Sequence, residues 1–168
     1  MRYFIEISYN GKNYHGWQIQ PNAISIQETL MDALSTILRK DINLVGAGRT
    51  DAGVHALQLF AHFDLDIILD SQETVQRLNA FLPDDLVVKS IVKVNDNFHA
   101  RFDATSRSYE YRIWLGRNPF LLDTTYQIHR HELNIEKMNE AAILLLEYTN
   151  FKCFSKSKTD VKTYNCII

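Results

Sequence analysis

The run Ile42-Asn43-Leu44-Val45-Gly46-Ala47-Gly48-Arg49-Thr50-Asp51-Ala52-Gly53-Val54-His55-Ala56-Leu57-Gln58-Leu59-Phe60-Ala61-His62-Phe63-Asp64-Leu65-Asp66 carries two strand patterns with no helix between them. Ile42, Leu44 and Val45 predict a short strand. Leu57, Leu59, Ala61, Phe63 and Leu65 alternate with Gln58, His62, Asp64 and Asp66, the period of a half-buried strand, and Phe60 sits on its otherwise polar face. The glycine-rich stretch 46–55 joins the two.

Working outward, each flank supplies a helix and then a strand. Ser25-Ile26-Gln27-Glu28 fits a capping box, and Ile26, Leu30, Ala33, Leu34, Ile37 and Leu38 recur at helical spacing, predicting an amphipathic helix over 26–39. Before it, Tyr3, Ile5, Ile7 and Tyr9 predict a strand over 2–9, followed by the turn Asn10-Gly11-Lys12-Asn13. Beyond the run, Ser71 reads as the cap of a second helix with Val75, Leu78, Phe81 and Leu82 on its apolar side, ended by Pro83-Asp84-Asp85. Leu86 to Val94 reads as a strand. The order strand, helix, strand, strand, helix, strand is that of a ferredoxin-like α+β unit, with two helices on one face of an antiparallel-containing sheet.

The remainder predicts a second α+β unit. Thr105 to Leu115 reads as a long strand, with Arg107, Tyr109, Tyr111 and Ile113 on one face. Asn134 caps a helix running through Tyr148 with Ile135, Met138, Ala142 and Leu145 inward. Phe151 to Phe154 and Thr163 to Ile168 are strand-like, and a lysine-containing polar loop separates them. The chain stops inside an apolar strand, an odd end for a domain. The expected division is 1–96 for the first domain and 97–168 for the second.

With 168 residues, 46% hydrophobic and 23% charged, the chain can bury a real core. Its two cysteines have no metal-like spacing, which suits a reducing compartment. No signal peptide opens it and no apolar run is long enough to span a bilayer, so the expected location is cytoplasmic, with no membrane partner. Residues 1–96 hold 8 Lys/Arg against 12 Asp/Glu, and 97–168 hold 10 against 8. So modest an asymmetry does not by itself argue a polyanion partner, though a basic stripe in a cleft is compatible with it.

Among chemical motifs, Gly46-Ala47-Gly48 continues into Arg-Thr-Asp, so it is neither a dinucleotide fingerprint nor a P-loop. His129 and His131 form the one histidine pair at metal spacing, and a surface pair reads better than zinc. What remains is Asp51 beside Arg49 on a glycine frame. A guanidinium nearby would orient a carboxylate as nucleophile or base, and an ion pair that merely braces a turn reads equally well. The aromatics of Tyr14-His15-Gly16-Trp17-Gln18 read as a packed lid before a stacking surface. Tyr109 reads as a core tyrosine or as a platform for a planar base.

Several blocks together are more specific. Tyr9-Asn10-Gly11 with Tyr14 to Gln18, Ser25 to Glu28, Gly48 to Ala56, Asn79-Ala80-Phe81-Leu82-Pro83, Phe98-His99-Ala100-Arg101-Phe102 and Ala104 to Tyr111 occur in this order. In these the chain resembles the tRNA pseudouridine synthase A family over essentially its whole length. The resemblance implies isomerisation of uridine to pseudouridine at positions 38, 39 and 40 of the anticodon stem-loop of tRNA, without metal or cofactor. It implies Asp51 as the catalytic aspartate, Tyr109 as the tyrosine packing on the target base, and Arg49 as the arginine that helps extrude the nucleotide. Arg101, Arg107 and Arg112, with Lys152, Lys156 and Lys158, become candidate phosphate contacts. The implied fold is two related α+β halves sharing a mixed, largely antiparallel sheet, and the implied assembly is a homodimer. Members of the family continue past residue 168 into a tail carrying an arginine that pairs with the catalytic aspartate. The expectation is therefore an N-terminal part of a synthase with an incomplete second domain, and the competing reading is a non-catalytic RNA-binding fragment.

Overall fold

The computed structural model describes residues 1–130, 132–155 and 163–168. The chain is α+β and divides into two compact units, Met1–Tyr111 and Arg112–Ile168.

The first unit contains β1 (Arg2–Tyr9), α1 (Ile26–Leu38), β2 (Val45–Gly46), β3 (Ala56–Asp64), α2 (Ser71–Phe81) and β4 (Leu86–Val94). Its strands pair antiparallel in the order β2-β3-β1-β4, so the first strand lies central and the hairpin partners β2 and β3 lie to one side. This is the ferredoxin-like arrangement that the element order predicts. Tyr3, Ile5 and Ile7 of β1 bury one face with Ala61 and Phe63 of β3 and Val88 and Ile91 of β4, under Ile26, Leu30 and Leu34 of α1 and Leu78 of α2. The opposite face carries polar pairs, with Glu6 accepting from Gln58 Nε2 at 2.8 Å and from Ser90 Oγ at 3.2 Å. A period-two pattern on β1 thus separates core from polar surface.

Several local features differ from expectation for definable reasons. The strand over Ile42–Val45 shrinks to Val45–Gly46, because α1 claims the preceding backbone: Gln27 Nε2 donates to Leu44 O at 2.8 Å, and Ser35 Oγ accepts from Ile42 N at 3.2 Å. The cap of α2 is Asp70, whose carboxylate accepts from Glu73 N at 3.0 Å; Ser71 is the first helical residue. An aspartate suits this position because its charge also complements the helix dipole. On α2 the buried stripe runs through Thr74, Leu78 and Leu82, and Phe81 is exposed. Asn79 instead clamps β4 at both polar groups of Val88, each at 2.8 Å.

Residues 97–111, expected with the second domain, belong to the first unit. Ala100 is buried and its N–H donates to His62 Nδ1 at 3.2 Å, while Arg2 Nη1 donates to Phe98 O at 2.9 Å. The long strand expected over 105–115 is confined to β5 (Ile113–Leu115). Alternation fixes which side chains share a face, but a strand exists only beside a partner, and no place in the order β2-β3-β1-β4 is filled by 105–111.

The second unit contains β5, β6 (Tyr126–Ile128) and α3 (Ile135–Leu145), with β5 and β6 parallel. Asn134 caps α3 as expected, accepting from Lys137 N at 2.9 Å. Ile135 and Met138, expected inward, are exposed. Within the strand expected over Phe151–Phe154, Lys152–Phe154 forms a 3-10 turn, and the expected terminal strand is a single bridge, Asn150 with Asn165. His131, Lys156 and Lys158 lie outside the described residues.

Candidate active site

The site is a frame of backbone hydrogen bonds built around the loop between β2 and β3. The first amides of α1 start it: Ile26 N donates to Gly16 O at 3.1 Å and Gln27 N to Trp17 O at 3.0 Å. Helix N-termini have amides without intrahelical partners, and here the Tyr14–Gln18 segment supplies acceptors. That segment then grips the loop from its other side. Trp17 N donates to Thr50 O at 3.1 Å, and Tyr14 O accepts from Gly53 N at 3.2 Å. Asp51 lies between these two latches, with its own carbonyl accepting from Val54 N at 3.2 Å.

Two glycines make the approach possible. Gly16 has φ +89, and a Cβ there would stand 2.2 Å from Thr50 O. At Gly46 a Cβ would stand 2.5 Å from Cε2 of Trp17, so the indole packs directly against bare backbone. Trp17 and Tyr14 are buried, which makes them structural supports and not stacking surfaces. Tyr14 Oη donates to Asp85 Oδ1 at 2.6 Å, and burial together with this bond pushes its phenol well above the usual range.

Side chains complete the frame. Tyr9, at the buried end of β1, shares a 2.8 Å hydrogen bond with Thr50 Oγ1, and burial raises its phenol. His55 Nδ1 accepts from Gly11 N at 2.9 Å, tying the end of the loop to the turn after β1. Ala47 N donates to Phe60 O at 2.7 Å, where the loop leaves the sheet.

On this frame Asp51 and Arg49 are both solvent-exposed, in a loop whose backbone is fastened on either side of them. Tyr109 is 81% exposed, which excludes the core reading. It stands two residues after Arg107, whose Nη2 donates to Ala47 O at 2.7 Å and to Arg101 O at 3.0 Å. Arg107 is therefore joined to the aspartate loop. Arg101 is exposed, with its guanidinium carbon 6.0 Å from the Phe102 ring centroid. Arg112, exposed as well, opens the second unit. Lys152 lies in the 3-10 turn of that unit. Among the described residues no group of three or more His, Cys, Asp or Glu is placed to hold a metal ion. No helix among them is long and apolar enough to cross a membrane.

Sequence reasoning passed over Tyr9 as a site residue, because its alternation marked only a core strand. The close approach at Gly16 was passed over too, although a glycine between two aromatics was the available signal.

Comparison with known proteins agrees with this architecture. The tRNA pseudouridine synthase family pattern matches residues 6–103, which hold the frame, the aspartate loop and the Phe98–Phe102 turn. The chain is 53% identical to tRNA pseudouridine synthase A of Bacteroides fragilis, over 99% of this chain and 66% of that protein. It is 52% identical to the Bacteroides thetaiotaomicron protein of the same name, over 99% of this chain and 62% of the relative. The Bacillus licheniformis one is 40% identical, over 96% and 67%. This chain belongs to the tRNA pseudouridine synthase family. It spans about two thirds of the length of the curated relatives it matches.

Proposed function

We propose that the chain carries the uridine-isomerising centre of a tRNA pseudouridine synthase, with Asp51 as its catalytic carboxylate. The observation that carries this reading is the exposure of Asp51 on a loop pinned at Thr50 O and Gly53 N. A carboxylate that must meet a nucleotide needs access, and one that must meet a single atom needs a fixed backbone. In the isomerisation the N1–C1′ bond of uridine breaks, the uracil turns, and a C5–C1′ bond forms. The C5 proton leaves and N1 gains one, so the reaction is balanced without oxidant or reductant. Asp51 serves it by acting on the sugar or on the ring.

Tyr109 is the group offered to the target base. Its ring is exposed, and the residue two before it is tied to the aspartate loop. Arg49, in the aspartate loop, is the cation offered to the extruded nucleotide; extruding a base costs a few kcal/mol that backbone contacts must offset. The substrate on this reading is the anticodon stem-loop of tRNA, the assembly a homodimer, and the compartment the cytoplasm.

The test is pseudouridine formation in unmodified tRNA by this 168-residue chain beside Asp51→Asn, with tRNA binding measured in parallel. Conversion by the parent alone, with binding retained by both, supports the reading. Binding by both and conversion by neither supports a non-catalytic RNA-binding role for this chain.

A further inference from the structure

The cation two residues before Tyr109 has a use that the phosphate-contact reading does not foresee. Ala47 is the last residue held to the sheet before the glycine loop, through its N–H to Phe60 O at 2.7 Å. Its carbonyl is taken by Arg107 Nη2 at 2.7 Å, and the same nitrogen takes Arg101 O at 3.0 Å. Both hydrogens of one guanidinium nitrogen are thus directed at two backbones far apart in sequence. The rest of the side chain lies along the loop: a Cβ at Gly48 would stand 3.4 Å from Arg107 Nε and 3.9 Å from Cδ. The Phe98–Asp103 turn bearing the Arg101 carbonyl is itself held by hydrogen bonds. His99 N donates to Asp103 Oδ2 at 2.7 Å, Asp103 N to His99 O at 3.0 Å, and Ala100 N to buried His62 at 3.2 Å.

We propose that Arg107 is a positioning residue for the aspartate loop, acting through Ala47 O and Gly48, and not a phosphate contact. This inference rests on the reading of Asp51 as the reacting carboxylate. With Trp17 N on Thr50 O and Gly53 N on Tyr14 O, the loop has fasteners on both sides of Asp51, and Arg107 supplies the one nearest β2. A flat fork with two hydrogens on one nitrogen suits this task, whereas an ammonium on a flexible stem supplies the charge without the fixed geometry.

The distinction between fork and charge sets the experiment. Amide exchange is measured across the 168-residue chain for the parent, Arg107→Lys and Arg107→Gln, with amides of β1 as the internal reference. The expected result is exchange about tenfold faster at Ala47 and Gly53 in Arg107→Gln, and clearly faster in Arg107→Lys, with β1 unchanged. Binding of tRNA across a salt series is expected to keep the slope of the parent in both variants. A synthase preparation that turns over is expected to lose kcat by a similar factor with KM for tRNA unchanged. The proposal is overturned if loop exchange equals that of the parent in both variants. It is also overturned if Arg107→Lys restores everything while Arg107→Gln lowers the salt slope by about one, the signature of a lost phosphate contact. Exchange rising equally in β1 and in the loop overturns it too, since the arginine would then hold the fold in general. Absence of pseudouridine with the parent chain counts against the proposed function alone, because the exchange comparison decides Arg107 without turnover.

Discussion

Acidification between pH 6.5 and 4 is expected to weaken the first unit through one side chain. His62 on β3 is buried, its ring 6.0 Å from Phe4 and edge-on to His99 at 4.6 Å, with Nδ1 accepting from Ala100 N. Burial, helped by the nearby positive charges of Arg2 and His99 and opposed by Asp64, lowers its pKa to about 4. The unfolded chain binds a proton near pH 6.5, which the folded chain refuses until about pH 4. Above pH 6.5 both states are neutral and His62 adds no pH dependence. Below it the unfolded state holds more protons, so stability falls with falling pH and levels off below pH 4. The full loss is about 3 kcal/mol as an upper bound, since relaxation around a charged ring would lessen it. Protonation at Nδ1 would also remove the acceptor that holds the Phe98–Phe102 turn. The assay is urea unfolding at intervals from pH 7 to 4, followed by Trp17 fluorescence in a Trp114→Phe background and compared with His62→Asn. Asparagine places an oxygen near the Nδ1 position but does not titrate. Asp64, whose carboxyl Arg2 holds below its usual range, contributes stability that is lost only at lower pH, and its pairing with Arg2 is common to both proteins. The gap in stability between parent and variant should therefore shift by a few kcal/mol across the interval. A gap constant from pH 7 to 4 would refute the assignment of His62 as a buried neutral base.

Two substitutions probe the frame around Asp51. Gly16→Ala combines a left-handed backbone with a Cβ 2.2 Å from Thr50 O, so the loop must move away from Trp17 N. A loss of about 3 kcal/mol is expected, seen as a thermal midpoint lowered by more than 10 °C for a unit of this size; an unchanged midpoint would show that the loop yields freely. Tyr9→Phe removes the 2.8 Å partner of Thr50 Oγ1 at the buried end of β1. It should cost about 1 kcal/mol, and Thr50→Val in the same background should cost little more, because the two deletions share one bond. Additive losses in that double-mutant cycle would show that the pair is not coupled.

The fold of the first unit was legible because its cues agree. Alternation on β1, β3 and β4, a serine before the helical pattern at Ile26, and two adjacent strand patterns around the glycine loop all point to one topology. The misreadings fall where a local pattern needs a partner to become structure. Ile42 and Leu44 alternate like a strand, but Gln27 and Ser35 take their backbone groups and leave β2 two residues long. Residues 105–111 alternate equally well and do not join the sheet of the first unit. In both cases the pattern recorded which side chains share a face, and the hydrogen-bonding partner was decided elsewhere in the chain.

The site was legible in a different way. Asp51 stood out because Arg-Thr-Asp between glycines is more chemistry than a turn requires, and the structure leaves that carboxylate exposed on a fastened loop. The fastening itself was hidden, since backbone hydrogen bonds carry almost no sequence signal: Trp17 N to Thr50 O would exist with many side chains at either position. What the sequence does show is the space such a bond needs. Gly16 and Gly46 mark the two places where one backbone presses on another or on an indole. The hydrogen bonds of Arg107 were hidden for the complementary reason. A cation on an alternating stretch suggests a phosphate, and only coordinates reveal that two carbonyls already occupy its fork. A basic residue near a nucleic-acid site is thus evidence for a phosphate contact only once its hydrogens are shown not to be committed to the protein's own backbone.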